Sequence, residues 1–340
     1  MMSAILFGCG SIGKRHLNNL ETHFEKIVVI DSSNSVKKYI EEKNNPAIHL
    51  IPHIDNLQIN EIAKSELVVI ATYGPDHLVH MNFFAERGAK KIIVEKPLTD
   101  SIEELEKLER IVLNNDIITY CHFPWDVSTF LDSLEKLQKN YHLGPLISSN
   151  LIAGAKCLAT TGIHYLNLIN KINKKSPLSV FASILDSRIN PRGKQFSYLE
   201  GTIEWVYDDN FRFLLNMNNR ISLNPNWQFF WEEALLTGDP LSDSREFKLY
   251  AREKRRSNSP IVHTLPASEF LGNYEMLESQ NLLIQRFYEQ VLNNSLKSNL
   301  KESINANRDL LAALLSSKLE KRIYINQLHN YDLSTKWNIS

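Results

Sequence analysis

Short apolar runs alternate with amphipathic stretches along the first third of the chain. Residues 3–7, 26–30, 48–51, 67–71, 91–94 and 117–120 carry the runs. The run Leu67-Val68-Val69-Ile70-Ala71 holds no polar residue, the pattern of a strand covered on both faces of a sheet. Between the runs, helical spacing extends to Leu20 and over 36–43, 76–87 and 102–114. Gly88 can close the helix before it, and Asp100 or Ser101 can cap the one beginning at Ile102, with Glu103 and Glu104 in its favourable first turn. Strand and helix in strict alternation predict a parallel, doubly wound sheet.

After this the pattern changes. Residues 129–139 and 162–172 have helical spacing around a strand at 146–152, and from Leu178 to about Tyr250 helical periodicity disappears. Segments 198–206 and 211–217, joined through Tyr207-Asp208-Asp209-Asn210, predict an antiparallel sheet with one open face. Helices at 275–292 and 301–321 and a short strand at 323–325 close the chain. The expected fold is α/β in two domains: a Rossmann domain over 1–122 that binds cofactor, and an α/β domain over 123–340 for substrate and oligomer contacts. No repeat or Gly/Ser linker separates them, so the second should pack directly on the first.

Composition narrows the function. The 340 residues are 43% hydrophobic and 23% charged, as in a folded globular enzyme. A net charge of −1 gives no global field to hold nucleic acid or an anionic membrane, and the one basic knot, Arg252 to Arg256, fits a solvated loop or strand end. Three cysteines in no paired spacing suit a reducing cytoplasm. No zinc-type spacing appears among the eleven histidines, so no metal is expected. No leader-like start or membrane-length apolar run is present, and a cytoplasmic protein is expected.

The chemistry begins at the end of the first run. Gly8, Gly10 and Gly13, with Ser11 and Ile12 between them, form G-x-G-x-x-G between a strand and a helix. The first glycine allows the tight turn, the second a close approach of a pyrophosphate, and the third helix–strand packing. Asp31 ends the second run 18 positions after Gly13, where a carboxylate accepts the ribose hydroxyls of a bound dinucleotide. With no arginine after it, Asp31 favours NAD over NADP. Glu95-Lys96-Pro97 ends the fifth run, at the sheet edge where ligands bind. There Lys96, its pKa lowered by desolvation, suits proton transfer. Thr72, His77 and His80 follow the fourth run and can line the same cleft. Arg188, Arg192 and Lys194 crowd a turn-rich stretch that could face a substrate anion but fits a solvated loop better, while Trp227, Phe229, Phe230 and Trp231 fit core or interface packing better than sugar stacking.

Taken together, G-C-G-S-I-G-K-R-H (Gly8 to His16), V-V-I-A-T with Pro75 and His80, V-E-K-P-L (Val94 to Leu98) and Gly162-Ile163-His164 resemble the Gfo/Idh/MocA family, the glucose-fructose oxidoreductase and inositol dehydrogenase group. The resemblance implies a Rossmann domain joined to an α/β domain whose open sheet makes a homo-oligomer. It also implies NAD(H)- or NADP(H)-dependent oxidation or reduction of sugars, sugar nucleotides or cyclitols. It makes Lys96 the active-site lysine and His164 the active-site histidine. The family pattern D-x-G-x-H-x-x-D departs here: Thr160 and Asn167 stand at the two acidic places. A threonine holds no charge against an imidazolium, so a Lys–Asp–His relay does not transfer, whereas a Lys96–His164 pair does. Two other readings remain: an NAD-using glycosidase with no net redox change, and a catalytically silent NAD-binding regulator.

Overall fold

The computed structural model describes residues 2–154, 156–190, 193–241, 245–251 and 268–339. Strands β1 (Ser3–Phe7), β2 (Lys26–Ile30), β3 (Ile48–Ile51), β4 (Leu67–Ile70), β5 (Lys91–Val94) and β6 (Ile118–Cys121) form one all-parallel sheet in the order β3-β2-β1-β4-β5-β6. Helices α1 (Ser11–Leu20), α2 (Asn34–Lys43), α3 (Ile59–Lys64), α4 (His77–Glu86) and α5 (Ile102–Asn114) connect these strands. The order reverses between β1 and β4, which opens a ligand crevice at their carboxyl ends. All four residues of β4 are buried, as its apolar run requires. Of the two possible caps of α5, Ser101 takes the role, its Oγ accepting from Glu104 N at 3.3 Å; Asp100 instead pairs with Lys336 at 2.8 Å. The short α3 has no counterpart in the sequence reading; only Ile62 of its six residues is buried, too little for a periodic signal.

The remaining elements are α6 (Phe130–Asn140), β7 (Leu146–Gly154), α7 (Leu158–Asn173), β8 (Ser179–Ile189), β9 (Ser197–Val206), β10 (Arg212–Asn218), β11 (Asn226–Trp231), β12 (Ala234–Gly238), β13 (Glu246–Ala251), β14 (Glu269–Glu275), α8 (Gln280–Leu292), α9 (Leu300–Leu319) and β15 (Ile323–Tyr324). Their nine strands make a second sheet in the order β14-β13-β12-β11-β7-β10-β9-β8-β15, antiparallel apart from the β7–β10 pair. One face buries Val180, Ile203, Trp205, Phe213 and Met217 beneath α7 and α9, while Ile152, Phe181, Leu185 and Leu214 are exposed. The period-2 alternation expected of a half-covered sheet is therefore present.

The starts of α7 and α8 differ most from the expected boundaries. Helix α7 begins at Leu158 rather than Gly162. The glycine lies inside the helix because an added Cβ would come within 2.9 Å of Leu215 Cδ2 on the sheet below. Residues 275–279 are not helical: Glu275 ends β14, and α8 begins at Gln280, capped by Ser279, whose Oγ accepts from Leu282 N.

The last two helices return to the parallel sheet. Leu283, Ile284, Phe287, Tyr288 and Val291 of α8 share a core with Leu6, Leu17 and Val29. At the start of α9, Asn299 accepts from Cys121 N (2.8 Å) and donates to Cys121 O (2.9 Å), and further along Asn307 accepts from Leu98 N (2.8 Å). These bonds hold the chain segments that leave β5 and β6 at the carboxyl edge. Among the described residues no helix is long and apolar enough to cross a membrane.

Candidate active site

The glycine turn is built as its spacing predicts. Gly8 has φ +87°, and a Cβ there would stand 2.7 Å from Ala71 O; at Gly13 it would stand 2.2 Å from Gly8 O. These two glycines are needed for the protein's own packing. An added Cβ at Gly10 meets nothing within 4 Å, so this glycine instead leaves a space open. No side chain caps α1, and its first turn holds no acidic residue. Unsatisfied N–H groups and the positive end of the helix dipole face that space, as a pyrophosphate requires. Asp31 stands beside the turn, Oδ2 accepting from Cys9 N at 2.7 Å and Oδ1 from Ser33 N at 2.9 Å.

Gly8, Gly10, Ser11, Ile12, Asp31, Thr72, His80, Glu95 and Lys96 all line a cleft of about 480 Å³. Gly13 sits under its floor, against Gly8. His77 does not line this cleft. It is fully buried, with its ring nitrogens 3.0 Å from Pro97 O and 3.1 Å from Thr72 O, and burial lowers its pKa. It fastens the loop after β4 to the loop after β5. Its neighbour His80 takes the cleft position, its Nδ1 2.9 Å from Thr72 Oγ1, and burial lowers its pKa to about 4.

Ile12, Glu95 and Lys96 also line a second recess of about 270 Å³, together with His122, Trp125, Thr160, His164 and Tyr165. The two spaces therefore meet at Lys96. Lys96 Nζ donates to the main-chain oxygen of Thr160 at 3.1 Å. Although Thr160 lacks the carboxylate of the family pattern, its backbone still takes a hydrogen bond from the lysine. His164 lies one turn further along α7, its ring 5.4 Å from that of Phe123 and 5.9 Å from that of Trp125. Burial, then the Lys96 charge, holds its pKa well below the usual histidine range, so the ring is neutral. Asn167 turns away, donating to Asp126 Oδ1 at 2.8 Å. Arg188 belongs to β8 rather than to a turn, and Arg192, Pro191 and the basic knot at 252–256 lie outside the described residues. Trp227 and Phe229 are core: Trp227 stacks with Phe130 and Trp125, and the Phe229 ring is tilted against Phe130.

No local motif announces the cluster behind Lys96. Glu95, buried at 3% exposure, accepts through Oε1 from His122 Nδ1 (2.5 Å) and His16 Nε2 (2.9 Å), and His16 Nδ1 in turn accepts from Tyr288 at 2.6 Å. Burial alone would raise the Glu95 pKa, but the two imidazoles and the Lys96 charge outweigh it and hold the carboxyl ionised. These residues come from α1, β5, the end of β6 and α8, so no local spacing could join them. Ligand atoms of His16, Glu95 and His122 lie within 4.8 Å of one another, a grouping the histidine spacing did not suggest; hydrogen bonds engage the shared oxygen from both sides. A larger cavity of about 590 Å³, near Lys174 and Lys301, contains none of these groups.

Comparison with known proteins agrees with this architecture. Residues 2–121 match the Gfo/Idh/MocA family profile, described as an oxidoreductase family with an NAD-binding Rossmann fold. No curated protein matches the sequence. Among solved structures, an Agrobacterium radiobacter oxidoreductase in complex with NAD+, L-tartaric acid and magnesium is similar with a TM-score of 0.73 at 13% identity, over 96% of this chain and 99% of that one. The WlbA dehydrogenase of Bordetella pertussis, in complex with NADH and UDP-GlcNAcA, has a TM-score of 0.71 at 12% identity, over 95% and 97%. UDP-N-acetylglucosamine 3-dehydrogenase GnnA of Acidithiobacillus ferrooxidans has a TM-score of 0.67 at 15% identity, over 93% and 97%. At these identities the likeness establishes a shared fold across nearly the whole chain. Residues 2–121 are thus similar to the Gfo/Idh/MocA oxidoreductase family, whose NAD-binding Rossmann fold is the N-terminal unit of this chain.

Proposed function

We propose that this protein is an NAD-dependent oxidoreductase that interconverts a hydroxyl and a ketone carbon of a sugar, sugar nucleotide or cyclitol. The observation that carries this reading is that the glycine-turn cleft and the recess beside it share Glu95 and Lys96. A cofactor seated on α1 and a substrate in the recess are thereby brought to one lysine. When bound, NAD supplies a hydride acceptor or donor at its nicotinamide ring. The open space over Gly10 and the uncapped start of α1 would hold its pyrophosphate, and Asp31 its adenosine ribose.

The chain's own residues handle the proton. Lys96, steered by the Thr160 carbonyl, gives a hydrogen bond or proton to the substrate oxygen, and the neutral His164 imidazole accepts one. Trp125 and Phe123 pack against His164 and limit the water around it. In this reading residues 1–122 hold cofactor and 123–340 form the substrate side. The exposed apolar positions Ile152, Phe181, Leu185 and Leu214 form a contact between copies of the chain.

Asp31 gives the cofactor preference. A 2′-phosphate would meet its carboxylate, while Ser32, Ser33 and Asn34 offer no positive charge. Titration should therefore show NAD(H) binding more tightly than NADP(H), with the gap narrowed in Asp31→Ser. Equal or tighter NADP(H) binding would remove the preference. Turnover of no sugar, sugar nucleotide or cyclitol by NAD-bound protein would remove the reaction.

A further inference from the structure

Apart from Glu95, the lysine and arginine side chains lining the substrate recess meet no carboxylate there. Arg15, from the exposed side of α1, and Lys156, just before α7, border it together with Lys96. Glu95 is its one lining carboxylate among the described residues, and its Oε1 is engaged by His16 and His122. Thr160, at the place where the family pattern carries an aspartate, adds no compensating charge. Arg15 and Lys156 form no ion pair among the described residues, although surface lysines elsewhere do, as Lys175 does with Asp208.

A second feature marks the wall as made for a polar occupant. His122 and Tyr165 both line the recess, and His122 Nε2 and the Tyr165 hydroxyl are buried with no hydrogen-bond partner among the described residues. His122 is held through Nδ1 by Glu95, which leaves Nε2 to meet a ligand oxygen, and the tyrosine hydroxyl can donate or accept. Leaving such groups unpaired is costly in the protein interior, and a ligand bearing several oxygens would relieve it. About 270 Å³ accommodates one sugar-sized ring and not a whole nucleotide sugar.

We propose that the recess takes a hydroxylated ring that carries its own anionic group, a carboxylate or a phosphate, received by Arg15 and Lys156 at the mouth. The inference rests on the oxidoreductase reading and narrows its substrate class. A guanidinium beside an ammonium suits either anion, since the first binds both oxygens of a carboxylate or phosphate and the second adds charge. An uncharged sugar would leave both cations without a partner.

The test is calorimetric titration of the NAD+-saturated protein with matched sets of hexuronates, hexose phosphates and their parent hexoses. At least one charged member should bind ten-fold or more tightly than its uncharged parent. Arg15→Ala and Lys156→Ala, each still binding NAD+, should lose most of that preference, and added salt should weaken it. A hexuronate preferred over the phosphate, or the reverse, identifies which anion is read. Equal or tighter binding of the uncharged parents, no binding of any member, or a preference that survives both substitutions overturns the proposal. The oxidoreductase reading falls separately, if the unmodified protein does not bind NAD+ at all.

Discussion

At the scale of single residues, Thr160 carries no carboxylate yet meets Lys96 through its main chain. The contact to Lys96 uses the Thr160 carbonyl, which every substitution other than proline keeps in place. Thr160→Ala should therefore reduce turnover by only a few fold, since a neutral hydroxyl contact contributes about 0.5–1.5 kcal/mol. His164→Ala should cost roughly 10²–10⁴-fold, as removal of a group that exchanges a proton does. Steady-state kinetics of both variants with one substrate decides the order; equal losses would mean that the threonine side chain itself takes part. The parts of the site visible in the sequence were those written into local motifs: the glycines, Asp31, Lys96 and His164. His122, His16 and Tyr288 were not visible, because they meet Glu95 from elements far apart in the chain. His77 misled for a related reason. Its position next to the cleft was legible, but not that its ring would turn inward to Pro97 while His80 faced the cleft.

At the scale of elements, the turn from β1 into α1 separates two uses of glycine. Gly13→Ala would push a Cβ to 2.2 Å from Gly8 O, against backbone that cannot give way. It should destabilise the fold by several kcal/mol, in the range of overpacked or strained positions. Gly10→Ala meets nothing within 4 Å and already has φ −69°, so its melting temperature should stay near that of the unmodified protein while NAD affinity falls at least ten-fold. Thermal melts paired with NAD titration test both; a Gly10→Ala protein that binds NAD normally would remove the pyrophosphate from this turn. The same scale shows what periodicity could and could not supply. Strands such as β4, with every side chain buried, were legible from composition alone. The start of α8 was not, because the exposed alternation of β14 runs into it with only Ser279 to mark the change.

At the scale of the whole molecule, α9 joins the two sheets and carries a buried acid. Asp309 is fully buried, accepts from Asn170 Nδ2 at 2.8 Å through Oδ2, and leaves Oδ1 without a partner among the described residues. Burial pushes its pKa up to about 7, against about 3.9 in an unfolded chain. Between those values the folded protein holds the extra proton, so this group's contribution is complete at low pH and is lost as pH rises towards 7. The loss amounts to about 1.4 kcal/mol for each pH unit inside that window. Asp309→Asn, neutral at every pH, should therefore gain stability relative to the unmodified protein between pH 5 and pH 8. A difference in melting temperature that does not change with pH would place the titration elsewhere.

The end of β5, the start of α7 and the wall shared by the two spaces meet at Lys96, and the proposed function rests on that residue. The direct measurement follows reduced nicotinamide during turnover for the unmodified protein and for Lys96→Ala, after both are shown to bind NAD. Turnover should fall by about 10²–10⁴-fold in the variant with cofactor affinity unchanged. A Lys96→Ala protein that turns over at the unmodified rate, or an unmodified protein that binds NAD and transforms no substrate, would contradict the assignment.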